Sequence, residues 1–320
     1  MIYQDKTIKV LIKSIVQETA NVKKFTLERA VGGHLPSFSG GSHITTYIDR
    51  DSVVLTRNYS LINHKNQESE YQIAVALADP SKGGSHYWHH HMKEGDFLTI
   101  SYPKNHFSLS FKAKHHVFYA AGIGITPFLS MMGELKGKGS TFELHYAAKS
   151  RDQCAFYHEI LYHYQQYSHF YFSRETNVKR LNADSLLDHP IGTHIYICGP
   201  EPFINSFRNG AEAIGYPKGS IHYERFTPEL PKNPVPFKVR LQNRMIEVAK
   251  DKTLLDAMLE AGIQAPYSCR AGRCGTCEVK VLNGEVEHHD SFLSDEQKKA
   301  QDVMLTCVSR AKSGHLEIDF

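Results

Sequence analysis

Long hydrophobic runs are missing from this chain. No apolar stretch in its 320 residues approaches the roughly eighteen needed to span a bilayer, which excludes an α-helical membrane protein. A strong charge imbalance is missing as well. A formal net charge of +3 is too mild to argue for nucleic acid or an anionic membrane as partner. The opening residues, Met1-Ile2-Tyr3-Gln4-Asp5-Lys6, have neither an apolar signal core nor an Arg/Ser-rich transit character, so the cytoplasm is the expected compartment. Internal repeats and low-complexity tracts are absent. Cysteine is scarce, at six residues, and the twenty histidines look scattered, as polar filler rather than a shared site.

Four of the six cysteines are concentrated near the C-terminal end. Cys269, Cys274 and Cys277 stand at C-x4-C-x2-C spacing, and Cys307 follows thirty residues on. That is the plant-type pattern for holding a [2Fe–2S] cluster. Two irons need four converging thiolates, so the chain must curl tightly and then send one ligand in from elsewhere. Gly272 and Gly275 suit such a curl, where backbone bends with φ > 0. Two other readings compete. Disulfides are disfavoured in a reducing compartment, and a zinc ribbon would show two C-x2-C knuckles where this chain has one.

The first hundred residues alternate in short runs: Ile8–Ile12, Val22–Leu27, His43–Ile48, Tyr71–Val75 and Phe97–Ile100. Turn residues such as Gly32-Gly33, Gly40-Gly41, Asp79-Pro80 and Gly95-Asp96 separate them, which predicts an antiparallel barrel or sandwich. Arg57-Asn58-Tyr59-Ser60 follows Val53-Val54-Leu55 and lies on a strand or just past it. An arginine, an aromatic plane and a hydroxyl together suit a ligand with a phosphate and a flat ring system. Lys82-Gly83-Gly84-Ser85-His86 precedes a predicted helix over Tyr87–Met92 and offers backbone N–H groups to a phosphate. Trp88 and His89-His90-His91 read as helix packing and solvated surface.

The middle of the chain changes period. His116–Ala121 is a continuous apolar run, Gly122-Ile123-Gly124-Ile125-Thr126-Pro127 a glycine turn, and Phe128–Met132 the start of a helix that Thr126 can cap. Strands over Phe142–Ala147, His169–Phe172 and His194–Cys198 alternate with helices over 156–166 and 202–214, which predicts a parallel sheet with covered faces. Ligands of such sheets sit beyond the carboxyl ends of the strands. There the sequence puts Gly122 to Pro127, Ala147 to Arg151, Ser173-Arg174 and Cys198-Gly199-Pro200. Cys198 reads as a small residue beneath a ligand and Cys154 as structural. A proline-rich linker follows, then a hairpin over Phe237–Ala249, a helix over Thr253–Ala261, the cysteine loop and a strand over Glu278–Leu282.

With these segments placed, the chain resembles the phthalate dioxygenase reductase family, the reductase components of Rieske-type oxygenases. The resemblance covers nearly the whole length and implies a multidomain α+β protein. Its parts would be an antiparallel β-barrel flavin domain (1–110), an α/β parallel-sheet NAD(P)H domain (111–227), a linker (228–236) and a β-grasp ferredoxin domain (237–320). It implies FMN held by Arg57, Tyr59 and Ser60 and by Gly83, Gly84 and Ser85. Gly122, Gly124, Thr126 and Pro127 with Cys198, Gly199 and Pro200 would line the nicotinamide side. Phe226, in the E-x-F that also contains Glu224, would lie near the flavin ring. Ser60, Thr126, Cys198 and Phe226 form the implied catalytic set. Ser173 and Arg174 resemble the pair that holds a 2′-phosphate in NADPH-specific relatives, with Lys179 and Arg180 nearby. NADH is the expected coenzyme, and NADPH stays open.

The implied activity moves electrons from NADH through FMN and a [2Fe–2S] cluster to a transiently docked terminal oxygenase. Plant-type clusters lie near about −400 mV and Rieske centres at roughly −150 to +300 mV, so delivery would run downhill. Among oxygenase substrates the overall resemblance favours carnitine or another quaternary amine over aromatic acids and methoxy-aromatics. Two rival readings are a flavin reductase feeding a cytochrome or separate ferredoxin, and a non-enzymatic zinc-binding interaction module.

Overall fold

The computed structural model describes residues 6–319 apart from 51–52, 64–68, 80–82, 176–179, 228–230, 232 and 313, and not the side chains of residues 49, 50 and 53–55. Lys82, Lys179, Pro80, the side chains of Val53 to Leu55 and part of the expected linker thus lie outside the described residues. The chain divides into two compact units, with the break between Arg225 and Phe226.

The first unit opens with β1 (Thr7–Thr19), β2 (Val22–Arg29), β3 (His43–Arg50), β4 (Val53–Ser60), β5 (Glu70–Ala76), α1 (Gly84–His90) and β6 (Phe97–Ser101). The strands run antiparallel in the order β4-β3-β6-β1-β2-β5. Leu61 bridges Ile73 of β5, and the Ile62 N–H donates to Gln72 O at 2.9 Å, so the sheet closes on itself as a barrel. Alternation fills the inside with Val10, Ile12, Phe25, Leu27, Ile44, Ile73 and Ile100, all fully buried, as is Trp88 of α1. The helix differs from the sequence expectation. It begins at Gly84 rather than Tyr87, because Gly83 takes φ +89° and turns the chain into it. His89 is also buried, not solvated, since its ring Nε2 bonds Val75 O at 2.9 Å.

The same unit continues with β7 (His115–Ala121), α2 (Thr126–Gly137), β8 (Phe142–Ala148), α3 (Tyr157–Tyr164), β9 (Ser168–Phe172), β10 (Thr193–Cys198), α4 (Glu201–Ala213) and β11 (Ile221–Glu224). All five strands are parallel in the order β11-β10-β7-β8-β9. Phe118, Leu144, Tyr146 and Tyr196 bury one face, and Val117, Tyr119, Ile195 and Ile197 the other. Phe107, Val22 and Ala74, contributed from the barrel side, pack into the first of these cores. Two glycines tighten the junction. The Gly40 N–H donates to Glu134 Oε2 at 2.7 Å, and the Gly41 N–H donates to Ser130 Oγ at 3.1 Å. A Cβ on Gly40 would stand 2.8 Å from the Met131 Cα, so only glycine lets the loop lie on α2. A bond to a buried carboxylate contributes about 1.5–3 kcal/mol.

Imidazoles are packed against this sheet, and they make it acid-labile. His194 Nδ1 and His222 Nε2 are 2.9 Å apart, and the His222 ring stacks on Tyr196 at 4.5 Å. Burial, with like charge on His194 next, pushes His222 down to about 4. Between pH 6.5 and 4 the unfolded chain binds this proton and the folded chain does not. Stability from this ring is therefore complete above pH 6.5 and falls by roughly 3 kcal/mol as pH drops toward 4. His116 and His194 are lowered by burial too, with the same sign. Calorimetry at pH 7.5 and pH 4.5 should show the first unit melting about 5–10 °C lower in acid. An unchanged melting temperature would mean that the rings titrate freely.

The second unit holds β12 (Phe237–Leu241), β13 (Arg244–Val248), α5 (Leu254–Glu260), β14 (Glu278–Asn283), β15 (Val286–Glu287), α6 (Asp295–Ala300), β16 (Val303–Leu305), β17 (Arg310–Ala311) and β18 (His315–Asp319). Its main sheet runs β13-β12-β18-β14-β16, with β12 and β18 parallel at the centre and the outer pairs antiparallel, a β-grasp. Thr253 and Asp256 form a capping box that starts α5, and Leu254, Leu255 and Met258 bury its inner face.

Candidate functional site

The cysteine loop folds back on itself. Gly272 and Gly275 have φ +69° and +72°, and Arg270 between two of the ligands has φ +53°. A Cβ on Gly272 would meet Val308 Cγ2 at 2.8 Å, and one on Gly275 the Phe292 ring at 2.4 Å, so the curl has no room for a side chain. Backbone donors point at the sulfurs. The Ala271 and Arg273 N–H groups each donate to Cys269 Sγ at 3.4 Å, and the Cys269 N–H donates to Cys274 Sγ at 3.5 Å. Such donors stabilise negative charge on sulfur.

The fourth ligand is brought in by a residue that spacing does not reveal. Thr306 donates both its N–H (3.1 Å) and its hydroxyl (3.2 Å) to Cys277 O, which sets Cys307 beside Cys277. Asp290 supports the loop from outside: its Oδ2 accepts the N–H groups of Phe292 and Leu293, while the Ser291 N–H donates to Gly272 O. No disulfide joins any of the six cysteines. Hydrogen bonding from Cys269 pushes the Cys274 thiol down to about 4, and Cys307 likewise lowers Cys277. The same contacts raise Cys269 and Cys307, so the four sulfurs titrate as two pairs.

These donors fit two irons better than one zinc. Among the described residues, the trio of His, Cys, Asp or Glu donor atoms found within 4.8 Å of one another is His115, Glu143 and His189, not a set of cysteines. One zinc with Zn–S near about 2.3 Å would draw its sulfurs closer than that.

In the first unit, the segments singled out at strand ends occupy one edge of the parallel sheet. The 3-10 turn Gly122–Ile125 follows β7, and Cys198 of β10 pairs with Ala120 of β7 and Glu224 of β11. Gly124 is pressed onto the next strand end: a Cβ there would lie 2.2 Å from Cys198 O and 2.7 Å from Gly199 N. Gly199 itself faces the Ala121 Cβ at 2.9 Å from where its own would be. Cys198 is fully buried beneath this crossing. Thr126 does not cap α2, contrary to expectation. The 3-10 turn intervenes, the cap position falls on Ile125, and the buried Thr126 hydroxyl donates back to Ile123 O at 3.0 Å. Pro127 is buried in the first turn of α2. Ser173 and Arg174 are exposed just past β9, and their N–H groups donate to Ala148 O and Lys149 O. Pro200 caps α4.

The flavin-type residues converge from two elements. Gly84 at the start of α1 lies against Arg57 of β4: a Cβ on it would be 2.6 Å from Arg57 Nε and 3.1 Å from Cζ. Tyr59, two residues along the same strand, packs edge-on to Trp88 of α1 with centroids 5.6 Å apart, and burial raises its hydroxyl pKa. Ser60 is buried, and Ser85 Oγ accepts the Ala78 N–H at 3.1 Å. The cradle left by two bare glycines beside a guanidinium suits a phosphate. Phe226 is the first residue of the second unit and is about half exposed.

The view of the histidines as scattered filler needs correction. Glu143 of β8 is ringed by four of them. His145 and His169 Nε2 each lie 3.0 Å from its Oε1, and His189 Nδ1 and His115 Nε2 lie 3.7 and 4.0 Å from its Oε2. They come from three strands and a loop, so no local pattern announces them.

Comparison with known proteins agrees with this construction. Residues 237–312 match the family of 2Fe-2S iron-sulfur cluster binding domains, and residues 101–221 match the N-terminal domain family of dimethylamine monooxygenase subunit DmmA-like proteins. The carnitine monooxygenase reductase subunit of Acinetobacter baumannii is 38% identical over 312 residues, which cover 97% of this chain and 96% of that one. The heme-dependent oxidative N-demethylase beta subunit of Ectopseudomonas mendocina is 36% identical over 97% of this chain and 98% of its own. The solved structure of phthalate dioxygenase reductase, described as modular for electron transfer from pyridine nucleotides to [2Fe–2S], superposes with a TM-score of 0.79 at 29% identity, covering 98% of both chains.

Fold and site together define an electron-transferring oxidoreductase that uses NAD(H), a flavin and a [2Fe–2S] cluster. The chain belongs to the phthalate dioxygenase reductase family, reductase components that serve an oxygenase. The zinc-module alternative is thereby overturned. No helix among the described residues is long and apolar enough to cross a membrane.

Proposed function

We propose that this chain passes electrons from NADH, through FMN and its cluster, to a Rieske-type oxygenase acting on carnitine or another quaternary N-methylated amine, in the cytoplasm. The observation that carries the internal route is the edge where Gly124 lies on Cys198-Gly199, in the same compact unit as the Arg57–Gly84 cradle. When bound, the flavin accepts a hydride's two electrons together and returns them singly, as a [2Fe–2S] cluster requires. The chain's own residues orient and exclude water. Arg57, Gly83, Gly84 and Ser85 would receive the flavin phosphate, and Tyr59 and Ser60 the ring system, with Phe226 near it. Gly122, Gly124, Thr126, Pro127, Cys198, Gly199 and Pro200 would seat the nicotinamide half of the coenzyme. Exposed Ser173 and Arg174 would meet its adenosine half, and NADPH would compete with NADH there. Cys269, Cys274, Cys277 and Cys307 would ligate the irons. Docking on the oxygenase would be transient, over less than about 1,200 Å².

The quaternary-amine reading leans on the carnitine monooxygenase reductase subunit at 38% identity. A second reading, delivery to a haem oxygenase, is favoured by the relative named a heme-dependent N-demethylase subunit. Purified, NADH-reduced protein should support substrate-dependent turnover of a carnitine-type Rieske oxygenase and only slow reduction of a haem N-demethylase. The reverse order would select the second reading. Failure with both, while NADH still bleached the flavin, would reject an amine oxygenase as partner.

A further inference from the structure

We propose that His115, Glu143 and His189 form a binding site for a divalent transition-metal ion of the zinc type, separate from the cluster and the coenzyme edge. The donors are already gathered: one nitrogen from each ring and a carboxylate oxygen lie within 4.8 Å of one another. His115 Nε2 and His189 Nδ1 stand 4.0 and 3.7 Å from Glu143 Oε2. Tetrahedral ligands at about 2.0–2.1 Å from zinc are roughly 3.4 Å apart, so the two ring-to-carboxylate distances need to close by about 0.3–0.6 Å and the ring-to-ring distance by no more than about 1.4 Å.

The supporting shell is what separates this trio from a chance ion pair. A ligating histidine normally donates its second nitrogen to a fixed acceptor. Here His115 Nδ1 lies 3.0 Å from Thr141 Oγ1, whose hydroxyl donates onward to Lys114 O, and His189 Nε2 lies 2.7 Å from the Tyr119 hydroxyl. The other carboxylate oxygen, Oε1, lies 3.0 Å from both His145 Nε2 and His169 Nε2. Both rings thus have their non-ligating nitrogens partnered while the ligating atoms converge. The His115 and His189 side chains are 17% and 3% exposed and Glu143 27%, so the trio meets solvent on the side of His115 and Glu143.

The place in the fold suits a structural or regulatory ion. Glu143 is near the amino end of β8, and five residues at about 3.3 Å each separate it from the coenzyme edge, roughly 16 Å away. A bound ion would pin the segment before β10 to the starts of β7 and β8.

The test uses full-length protein loaded with iron and flavin, dialysed against buffered Zn²⁺, with metal content measured per chain. We expect one zinc beyond the iron complement, a raised melting temperature of the first unit, and binding about 10–100-fold weaker in His189→Gln and in Glu143→Gln. His115→Gln, on the open rim, is the second variant should either of those fail to fold. His169→Gln, whose ring faces the non-ligating Oε1 and stacks on His145, should still take up one zinc. Wild-type protein that binds no zinc beyond its iron, or ligand variants that bind it as tightly as wild type, would overturn the proposal.

Discussion

Cys307→Ser is expected to leave NADH-driven flavin reduction within about threefold of wild type while cutting electron delivery to the oxygenase by about a hundredfold or more. The reason is the division of the chain. Cys307 is buried in the second unit, whose core is its own, whereas the coenzyme edge and the Arg57–Gly84 cradle belong to the first. Serine is a poor ligand for iron, and it also removes the thiol that lowers Cys277. The loss should therefore exceed that of a supporting residue. Thr306→Val would be such a residue: it keeps all four sulfurs and the Thr306 N–H bond but drops the hydroxyl bond to Cys277 O. Anaerobic stopped-flow at the flavin band measures the first activity, and oxygenase turnover the second. Iron content and a melting curve of the first unit show that the variant is folded. If a flavin-loaded Cys307→Ser protein lost both activities, the two units would not divide the work in this way.

Much of this architecture was legible in the sequence because its signals are local. The cysteine spacing lies within nine residues, and the C-x4-C-x2-C run needs no tertiary knowledge to interpret. The parallel sheet announced itself by apolar runs ending in glycine or polar residues, and those ends do share one edge because all five strands are parallel. What stayed hidden depends on contacts between residues far apart in the chain. Thr306 clamps Cys277 across 29 residues, and the Gly40 N–H reaches Glu134 across 94. The histidines around Glu143 were dismissed for the same reason: His145 is its neighbour on one face of β8, but only pairing register brings His115 and His169 there, and a loop supplies His189. Thr126 was misread by a subtler route. Thr-Pro before an apolar run is a sound cap signal, but it does not show that a 3-10 turn will precede the helix and take the cap position back to Ile125.

A contrast between two glycines three atoms of backbone apart tests the coenzyme edge most sharply. Gly122→Ala should be mild and Gly124→Ala severe, although both belong to the same turn. Gly122 has φ +56° and nothing within 4 Å of a built Cβ, so alanine there incurs only backbone strain of about 1–2 kcal/mol. Gly124 has an ordinary φ, yet its Cβ would stand 2.2 Å from Cys198 O and 2.5 Å from Cys198 C. Those are backbone atoms of a central strand, and no rotamer change can move them aside. The turn must lift off the Cys198-Gly199 strand end, shifting Thr126 and Pro127 with it. Misplacement by about 1 Å at a site that works by orientation costs about a hundredfold in rate, and overpacking lowers stability by about 1–3 kcal/mol. Flavin reduction by NADH should therefore collapse in Gly124→Ala, with iron content unchanged, while Gly122→Ala keeps most of its rate. Equal rates in the two variants would mean that the coenzyme does not bind over this crossing, and the proposed nicotinamide seat would have to be sought elsewhere.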